Sequence, residues 1–326
     1  MLKSILFIIV ITIITGCSKP TPKTPLPDWY TNMPKNNEVY YAVGMADTIE
    51  QAKKNAILSI RKSLNLHVNS AFTSNKYHLK NLDKDLLEKI LEYNKMVSEK
   101  ISIKKVTVVE SKTINNKKVI LINIPKSKLF LKLKLISSAE LSRVKQKYQT
   151  RRNPIALKRF ITLDSLMQKY AKIASLAGYK KFLIPQYEEY DEFSFLNKMK
   201  AEYDNLIPFV SVCIVHDVNS KLFALTIKKL LLDKGINVVK DIKDRNSLKL
   251  FITSKSSSFK EQSLNKVKSH MKFAAFDGKK NQISFKEYTF IGESKKSSQE
   301  AKQHIADDLK YKIKKLGISN FFNFER

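Results

Sequence analysis

The chain has 326 residues, 43% of them hydrophobic, and its 60 basic residues outnumber 30 acidic ones to give a formal net charge of +30. This length accommodates about two domains of ordinary size, and the hydrophobic content allows a packed core. Only seven of the basic residues are arginine. Because nucleic-acid-binding proteins usually rely on arginine for bidentate contacts and stacking, the composition does not favour nucleic acid as a partner.

The amino-terminal residues have the organisation of a secretory signal. Lys3 supplies a positive charge, and the apolar run over residues 5–14 is too short to span a bilayer. The run ends in Ile14-Thr15-Gly16-Cys17, which resembles the lipobox of bacterial lipoproteins. On that resemblance Cys17 takes a diacylglycerol, the chain is cut before it, and the new amino terminus is acylated with a fatty acid such as palmitate. The alternative is an ordinary signal peptide or a short anchor.

The residues after the acceptor cysteine indicate a spacer. Ser18 is not acidic, and an acidic residue at this position tends to retain lipoproteins at the inner membrane, so we expect the outer membrane. Residues 18–34 hold five of the nine prolines, which is typical of an extended, polyproline-like segment. We therefore predict a signal peptide at residues 1–16 and a lipidated tether at residues 17–34.

Export and lipidation restrict the roles of the other cysteine and of the lysines. With Cys17 lipidated no intramolecular disulfide is possible, and Cys213, in the apolar run 209–215, is expected to be a buried small side chain. The excess of lysine has two explanations: a compositionally biased genome, or attraction to an anionic envelope surface such as lipid headgroups, lipopolysaccharide or wall polymers.

A first α+β domain is predicted over residues 35–136. Residues 38–46 have the pattern of a strand, and Thr48 with Gln51 fits a capping box that begins a helix with one apolar face. A second helix is expected over about residues 82–100. The hairpin that follows is expected to turn at Asn115-Asn116, because asparagine tolerates the positive φ angles of such turns.

Three short motifs, one just before this domain and two within it, resemble a known family. They are Pro27-Asp28-Trp29-Tyr30, the segment Tyr40–Ala46, and a helix with small residues at Ala52 and Ala56. Together with the hairpin they resemble the LPP-twenty family of outer-membrane lipoproteins over about residues 27–130. The resemblance implies an envelope lipoprotein without catalytic residues, sometimes associated with flagella. Trp29 and Tyr30 are either core or edge residues or a stacking platform for a glycan.

The middle segment, residues 137–206, is predicted to form a helical bridge. Helices are expected from Ser137 to Thr150, from Ile155 to a stop at Gly178, and from Glu192 to Asn205. This segment also carries a basic cluster, which is either a solvated helix face or a docking patch for an acidic partner or surface. The arginines of the cluster are Arg143, Arg151, Arg152 and Arg159.

Residues 207–326 are predicted to form a second α+β domain, so the fold class of the whole chain is α+β. Strand and helix patterns follow one another in the order β-α-β-β-β-β-α, with a hairpin turn at Asp277-Gly278 and a final helix from Ser298 that stops at Gly317. The order looks like that of several envelope assembly lipoproteins, which is an analogy of fold only.

The sequence shows no recognisable catalytic motif. The seven glycines are too widely spaced for a phosphate-binding loop, and the five histidines do not pair at metal-ligand spacing. His216-Asp217 is the one conceivable acid–base pair, and a loop at a strand end is the competing interpretation. We therefore predict no enzyme, no cofactor and no metal.

The function predicted from these patterns is a membrane-anchored envelope lipoprotein that acts as a non-catalytic structural or assembly scaffold. Its expected partners are a membrane, reached through the lipid, and other envelope proteins, with anionic envelope polymers as a further possibility. The alternative is a binding module for cell-wall glycan or lipopolysaccharide. A third class, a hydrolase, requires a deep pocket with convergent polar groups.

Overall fold

The computed structural model describes residues 25–103, 106–150, 153–186, 191–242 and 244–324. The described chain is a mixture of helices and strands, which confirms the α+β fold class. It forms two compact units: one contains the residues up to Ile60 together with Ile103–Ile124, and the other contains Arg61–Ser102 together with the chain from Pro125 onward.

The first unit is built on a three-stranded sheet. Its elements are α1 (Asp28–Thr31), β1 (Val39–Ala46), the beginning of α2 (Ile49–Thr73), β2 (Thr107–Ile114) and β3 (Lys117–Pro125). The strand order is β1-β3-β2, and β2 and β3 form the predicted antiparallel hairpin. Asn115 and Asn116 have φ angles of 49° and 62°, which confirms the asparagine turn.

Close packing of α2 on β1 explains a glycine in this unit. A Cβ atom added at Gly44 would lie 1.9 Å from the carbonyl oxygen of Ala52 and 2.9 Å from the Cβ of Ala56. Both alanines are fully buried, so the strand and the helix approach each other at three small residues. The short helix α1 lies inside the predicted tether, and the segment 28–31 is therefore helical rather than extended.

The second unit begins with a layer of long helices. These are the rest of α2, followed by α3 (Lys84–Lys100), α4 (Lys126–Thr150), α5 (Ala156–Leu183) and α6 (Asp191–Leu206). Helix α5 packs against α3, α4 and α6 and is buried on nearly all sides. The helices predicted near residues 82–100 and 192–205 are confirmed, and α2, which begins after the predicted capping box, continues to Thr73.

Two helix boundaries in this layer differ from the prediction. Helix α4 begins at Lys126 instead of Ser137, directly after β3. Helix α5 continues through Gly178 to Leu183, so the prediction that Gly178 stops the helix is wrong. A Cβ atom at Gly178 would lie 2.6 Å from Phe72 and 3.2 Å from Tyr77. The glycine therefore serves close packing of the two rings and does not serve as a helix cap.

The carboxy-terminal part of the second unit is a five-stranded sheet covered by helices. Its elements are β4 (Ser211–His216), α7 (Lys221–Asp233), β5 (Asn237–Val239), β6 (Ser247–Glu261), β7 (Leu264–Asp277), β8 (Gln282–Ser294), α8 (Ser298–Leu316) and α9 (Ile318–Phe322). The strand order is β5-β4-β6-β7-β8, with β4 parallel to β5 and β6 and the remaining pairs antiparallel. The predicted order β-α-β-β-β-β-α is confirmed up to α8.

Two features of this part were not predicted. Strands β6 and β7 form one long hairpin whose turn lies at Gln262 and Ser263, both with positive φ. Its distal half is polar and serine-rich and gives little apolar alternation, so the sequence predicts strands only near residues 248–253 and 272–276. Helix α9 follows Gly317, whose φ of 81° ends α8 as predicted.

We predict that Gly178→Ala destabilises the protein, although alanine normally favours a helix over glycine by about 1 kcal/mol. The added methyl group must displace the Phe72 ring, and overpacking of this kind costs about 1–3 kcal/mol. Urea unfolding measures the change in the free energy of unfolding. In a Phe72→Leu background, which frees space beside residue 178, the same substitution should cost less. An equal cost in both backgrounds would show that Phe72 is not the constraint.

Candidate functional site

Several residues singled out from the sequence lie outside the described part of the chain. These are the lipidation residue Cys17, the lipobox residues Ile14, Thr15 and Gly16, and the arginines Arg151 and Arg152. Their predicted roles stay predictions. Among the described residues, no helix is long and apolar enough to cross a membrane.

The predicted aromatic residues and Arg143 occupy the two separate units. Trp29 and Tyr30 lie on α1 in the first unit, where both side chains are half-buried beside the buried Pro27. Arg143 lies on α4 in the second unit and is exposed to solvent. The predicted aromatic pair and Arg143 are therefore described separately, each within its own unit.

Arg159 belongs to the interior and cannot contribute to a surface docking patch. Its side chain is 5% exposed, and its Nε lies 2.5 Å from Oε1 of Glu202. Its Nη1 donates to the carbonyl oxygen of Tyr148 at 2.9 Å, and the guanidinium stacks 4.5 Å from the centroid of the Tyr148 ring. The sequence places Arg159 in a basic run, but its position on the buried face of α5 decides its role.

Arg159 is one of three polar side chains that α5 buries against α6. Lys180 forms an ion pair with Glu192, with both side chains less than a tenth exposed. Asp164 accepts a hydrogen bond from the Tyr203 hydroxyl at 3.0 Å. Because each polar group on α5 meets its partner on α6, these contacts fix the register of the two antiparallel helices.

A cleft of about 490 Å³ lies in the second unit, beside the α5–α6 contact. It is lined by residues of α3, α5, α6, α7 and α8 and by the loop before α3. The cleft contains several aspartates and lysines, so it meets the first condition for a hydrolytic or ligand-binding site. Whether the cleft can bind a ligand or catalyse a reaction depends on whether these charged side chains already have partners in the protein.

Most of the charged side chains in the cleft form hydrogen bonds or ion pairs with other groups of the protein. Lys200 donates to both carboxylate oxygens of Asp204, at 2.7 and 2.8 Å. Lys314 donates to Asp85 at 2.9 Å, and this hydrogen bond lowers the pKa of Asp85. The Lys89 ammonium donates to the carbonyl oxygen of Lys314 at 2.9 Å. Burial, reinforced by the charge of Lys234, lowers the pKa of Lys89.

The innermost polar side chains of the cleft, Asp164 and Tyr203, form hydrogen bonds within the protein that stabilise the fold. One carboxylate oxygen of Asp164 accepts from Tyr203, and the other accepts the backbone N–H of Ser319 at 2.7 Å. Burial, followed by the charge of Asp164, raises the pKa of Tyr203 well above its ordinary value, so the phenol stays a hydrogen-bond donor. This arrangement ties α5 to α6 and α9, and it leaves no activated nucleophile at these two residues.

The one acid–base pair suggested by the sequence is also structural. The Asp217 carboxylate accepts the backbone N–H of Ser220 at 2.8 Å and that of Ser254 at 3.3 Å. Burial tends to raise the pKa of Asp217, but these hydrogen bonds outweigh it and leave the pKa lowered. His216 instead contacts the backbone oxygen of Asp217 through Nδ1 at 2.8 Å. Cys213 is buried, as predicted.

Strand β8 provides a different kind of site, an exposed sheet edge. It is 13 residues long, it pairs with β7, and it is the last strand of the sheet in the described part of the chain. Helix α9 holds one face of the strand: the Tyr288 hydroxyl donates to the carbonyl oxygen of Phe321 at 2.7 Å, and Ser284 donates to that of Phe322. The edge is thus presented by a rigid support.

The opposite face of β8 exposes two large apolar side chains. Phe285 is 45% exposed and Ile291 is 53% exposed, and both lie on the face that is not covered by α9. The charged Glu287 between them is paired across the sheet, 2.9 Å from Nζ of Lys272 and 3.2 Å from Nε2 of His270. The sequence did not indicate this site, because apolar residues of β8 point to both faces.

Comparisons with known proteins add little. No family profile matches the sequence, and no curated protein matches it. A minor lipoprotein of Acinetobacter baumannii is 16% identical, with a TM-score of 0.26, over 33% of this chain and 91% of that one. A secreted protein of Helicobacter pylori is 14% identical, with a TM-score of 0.39, over 87% and 100%. A lipoprotein of Neisseria meningitidis is 14% identical, with a TM-score of 0.23, over 31% and 96%.

Two of these structures are lipoproteins and one is a secreted protein. At such low identities and TM-scores the likeness supports no argument about function. The resemblance to the LPP-twenty family stays a prediction.

We predict that Lys180→Met destabilises the protein by about 3–5 kcal/mol, because it leaves the Glu192 carboxylate buried without its cation. The double variant Lys180→Met/Glu192→Met should recover most of this loss. Urea unfolding followed by circular dichroism gives the free energies. The matched control is Lys84→Met, which breaks an exposed pair with Glu88 and should change stability by less than about 0.5 kcal/mol. A similar small change for Lys180→Met would contradict the assignment.

Proposed function

We propose that the protein is a lipid-anchored envelope lipoprotein that acts as a non-catalytic scaffold and binds another envelope protein along strand β8. The observation that carries this proposal is the open edge of β8 with Phe285 and Ile291 exposed beside it. An unpaired strand edge offers a row of backbone donors and acceptors, and proteins usually shield such an edge unless a partner uses it.

Binding by strand addition follows from this geometry. A partner strand placed beside β8 gains backbone hydrogen bonds along the edge, and side chains alternate on the two faces of the extended sheet. Phe285 and Ile291 then supply apolar anchors on one face, which is the usual source of specificity in this mode. The paired Glu287 between them carries its own counter-charges and does not oppose an approaching backbone.

The same structure supports a role without catalysis. The carboxylates of Asp164 and Asp217 are occupied by protein hydrogen bonds. Three lysines of the cleft, Lys89, Lys200 and Lys314, donate to aspartates or to a backbone carbonyl oxygen. Side chains that already form hydrogen bonds or ion pairs within the protein are poor acids, bases or nucleophiles, because a substrate must first displace those partners.

Anchoring through Cys17 would raise the efficiency of such binding. A chain fixed to one membrane surface meets partners in the same envelope layer at a high effective concentration, and the predicted proline-rich tether sets how far it reaches. Several acyl chains are needed for stable attachment, since each buried CH₂ contributes about 0.8 kcal/mol.

We predict that crosslinking in intact cells captures a defined envelope protein with the wild-type chain and that Phe285→Lys/Ile291→Lys reduces the capture. At least about a tenfold drop is expected, which corresponds to about 1.4 kcal/mol of binding free energy. Both positions are exposed, so folding should be retained and is checked by thermal unfolding. The readout is quantitative mass spectrometry of the crosslinked partner.

The matched control is Leu225→Lys, because Leu225 on α7 is 54% exposed, and α7 packs on β4 and β5, at the other end of the strand order from β8. It should leave capture unchanged. A Cys17→Ala chain tests the anchor separately and should lower capture without altering the β8 dependence. If no protein is captured, while the purified chain binds wall or lipopolysaccharide fractions in a salt-sensitive way, the binding-module alternative replaces the scaffold.

A further inference from the structure

Helix α4 exposes one continuous stripe of side chains to solvent. The exposed positions recur at intervals of three or four residues and therefore share one face of the helix. We call this face the α4 stripe. Its members are Lys128, Leu131, Lys132, Leu135, Ile136, Ala139, Ser142, Arg143, Gln146 and Lys147.

Three large apolar side chains lie together on the α4 stripe. Leu131 is 62% exposed, Leu135 is 76% exposed and Ile136 is 53% exposed, all within one and a half turns. Isolated exposed apolar residues are common on protein surfaces, but three neighbours make a contiguous patch. The opposite face of α4 already buries its own apolar residues, so the patch is additional to the packing of the helix.

The charges on the α4 stripe are all positive. Glu140 is the one carboxylate in α4, a helix that the structure describes from end to end. Its side chain is only 14% exposed and is drawn towards α5, with Lys172 at 2.8 Å and Lys169 at 3.6 Å. Lys128 and Arg143 face solvent, while Lys132 donates to the carbonyl oxygen of Ser102 at 2.6 Å. Helix α4 places no acidic side chain on the same face.

This combination fits a lipid surface. Helices that lie in a membrane interface place apolar side chains at the boundary of headgroups and acyl chains, with lysine or arginine nearby to contact anionic lipid. A lysine can extend its ammonium group to a headgroup while its methylene stem stays against apolar atoms. At 25 residues α4 is about 37 Å long, and its stripe runs along most of that length.

We infer that the α4 stripe lies on an anionic lipid bilayer, with Leu131, Leu135 and Ile136 inserted at the headgroup boundary. The inference rests on the membrane attachment proposed above, and it adds that the folded part of the chain touches the bilayer. An acidic protein is the competing occupant. The stripe favours lipid because its most exposed side chains are apolar and its cations are mainly lysines, which make point-charge contacts instead of bidentate ones.

The test uses the full lipidated chain, purified from bacterial membranes and reconstituted into vesicles. A polarity-sensitive fluorophore is attached at Leu135→Cys, while Cys213 is buried and Cys17 carries the lipid. Vesicles of phosphatidylcholine are compared with vesicles that also contain phosphatidylglycerol. We expect a blue shift and brighter emission only when phosphatidylglycerol is present. About 1 M salt, where the Debye length falls to about 3 Å, should reverse the change.

Two controls make the result specific. A fluorophore at Val218→Cys, a position 91% exposed and far from α4 in sequence, should show no shift in either vesicle. The variant Lys128→Gln/Arg143→Gln should abolish the shift at position 135 while the chain remains folded. Vesicle flotation reports attachment on its own, so a chain that fails to float contradicts the proposed anchor and not the α4 stripe.

A chain that floats but shows the same emission at position 135 in both vesicles overturns the inference. A response at position 135 to a solubilised envelope-protein fraction, without a response to phosphatidylglycerol, also overturns it and identifies the stripe as a protein contact.

Discussion

The second unit depends on the burial of α5 on nearly all of its sides. Such a helix needs apolar neighbours around its whole circumference, and α3, α4 and α6 supply them. It also carries Arg159, Asp164 and Lys180 into that interior, where a charged group without a partner is strongly destabilising. The neighbouring helices must therefore bring Glu202, Tyr203 and Glu192 to fixed positions, and this requirement determines how α6 lies on α5.

The same helix connects the helical layer to the carboxy-terminal sheet. Asp164 accepts the backbone N–H of Ser319 at the start of α9, and α9 in turn accepts hydrogen bonds from Ser284 and Tyr288 of β8. A continuous set of contacts thus runs from the centre of the helices to the edge strand. An edge that is held in this way presents its backbone groups in a single geometry, which lowers the entropy lost on strand addition.

The sequence was sufficient where local chemistry decides the structure. The asparagine turn between β2 and β3, the ends of α8, and the order of the carboxy-terminal elements all follow from residue types that favour one backbone conformation. The sequence was not sufficient where a contact with a residue distant along the chain determines the structure. Gly178 looks like a helix stop until Phe72, more than a hundred residues away, is seen to need the space. Arg159 looks like part of a basic surface until Glu202 is found beside it.

Two groups of positively charged residues can be distinguished: those that pair with carboxylates and those that lie on the α4 stripe. A biased genome places lysine wherever it is tolerated, and many lysines here are indeed paired, as Lys272 is with Glu287 and Lys314 is with Asp85. Bias alone does not explain why the α4 stripe combines cations with Leu131 and Leu135, since exposed leucine lowers solubility and gains nothing in packing. Composition raises the number of lysines, whereas the fold decides which of them share a face with exposed apolar atoms. On α4 that shared face has the character of an interfacial helix, and contact with lipid is the use that we propose for the charge there.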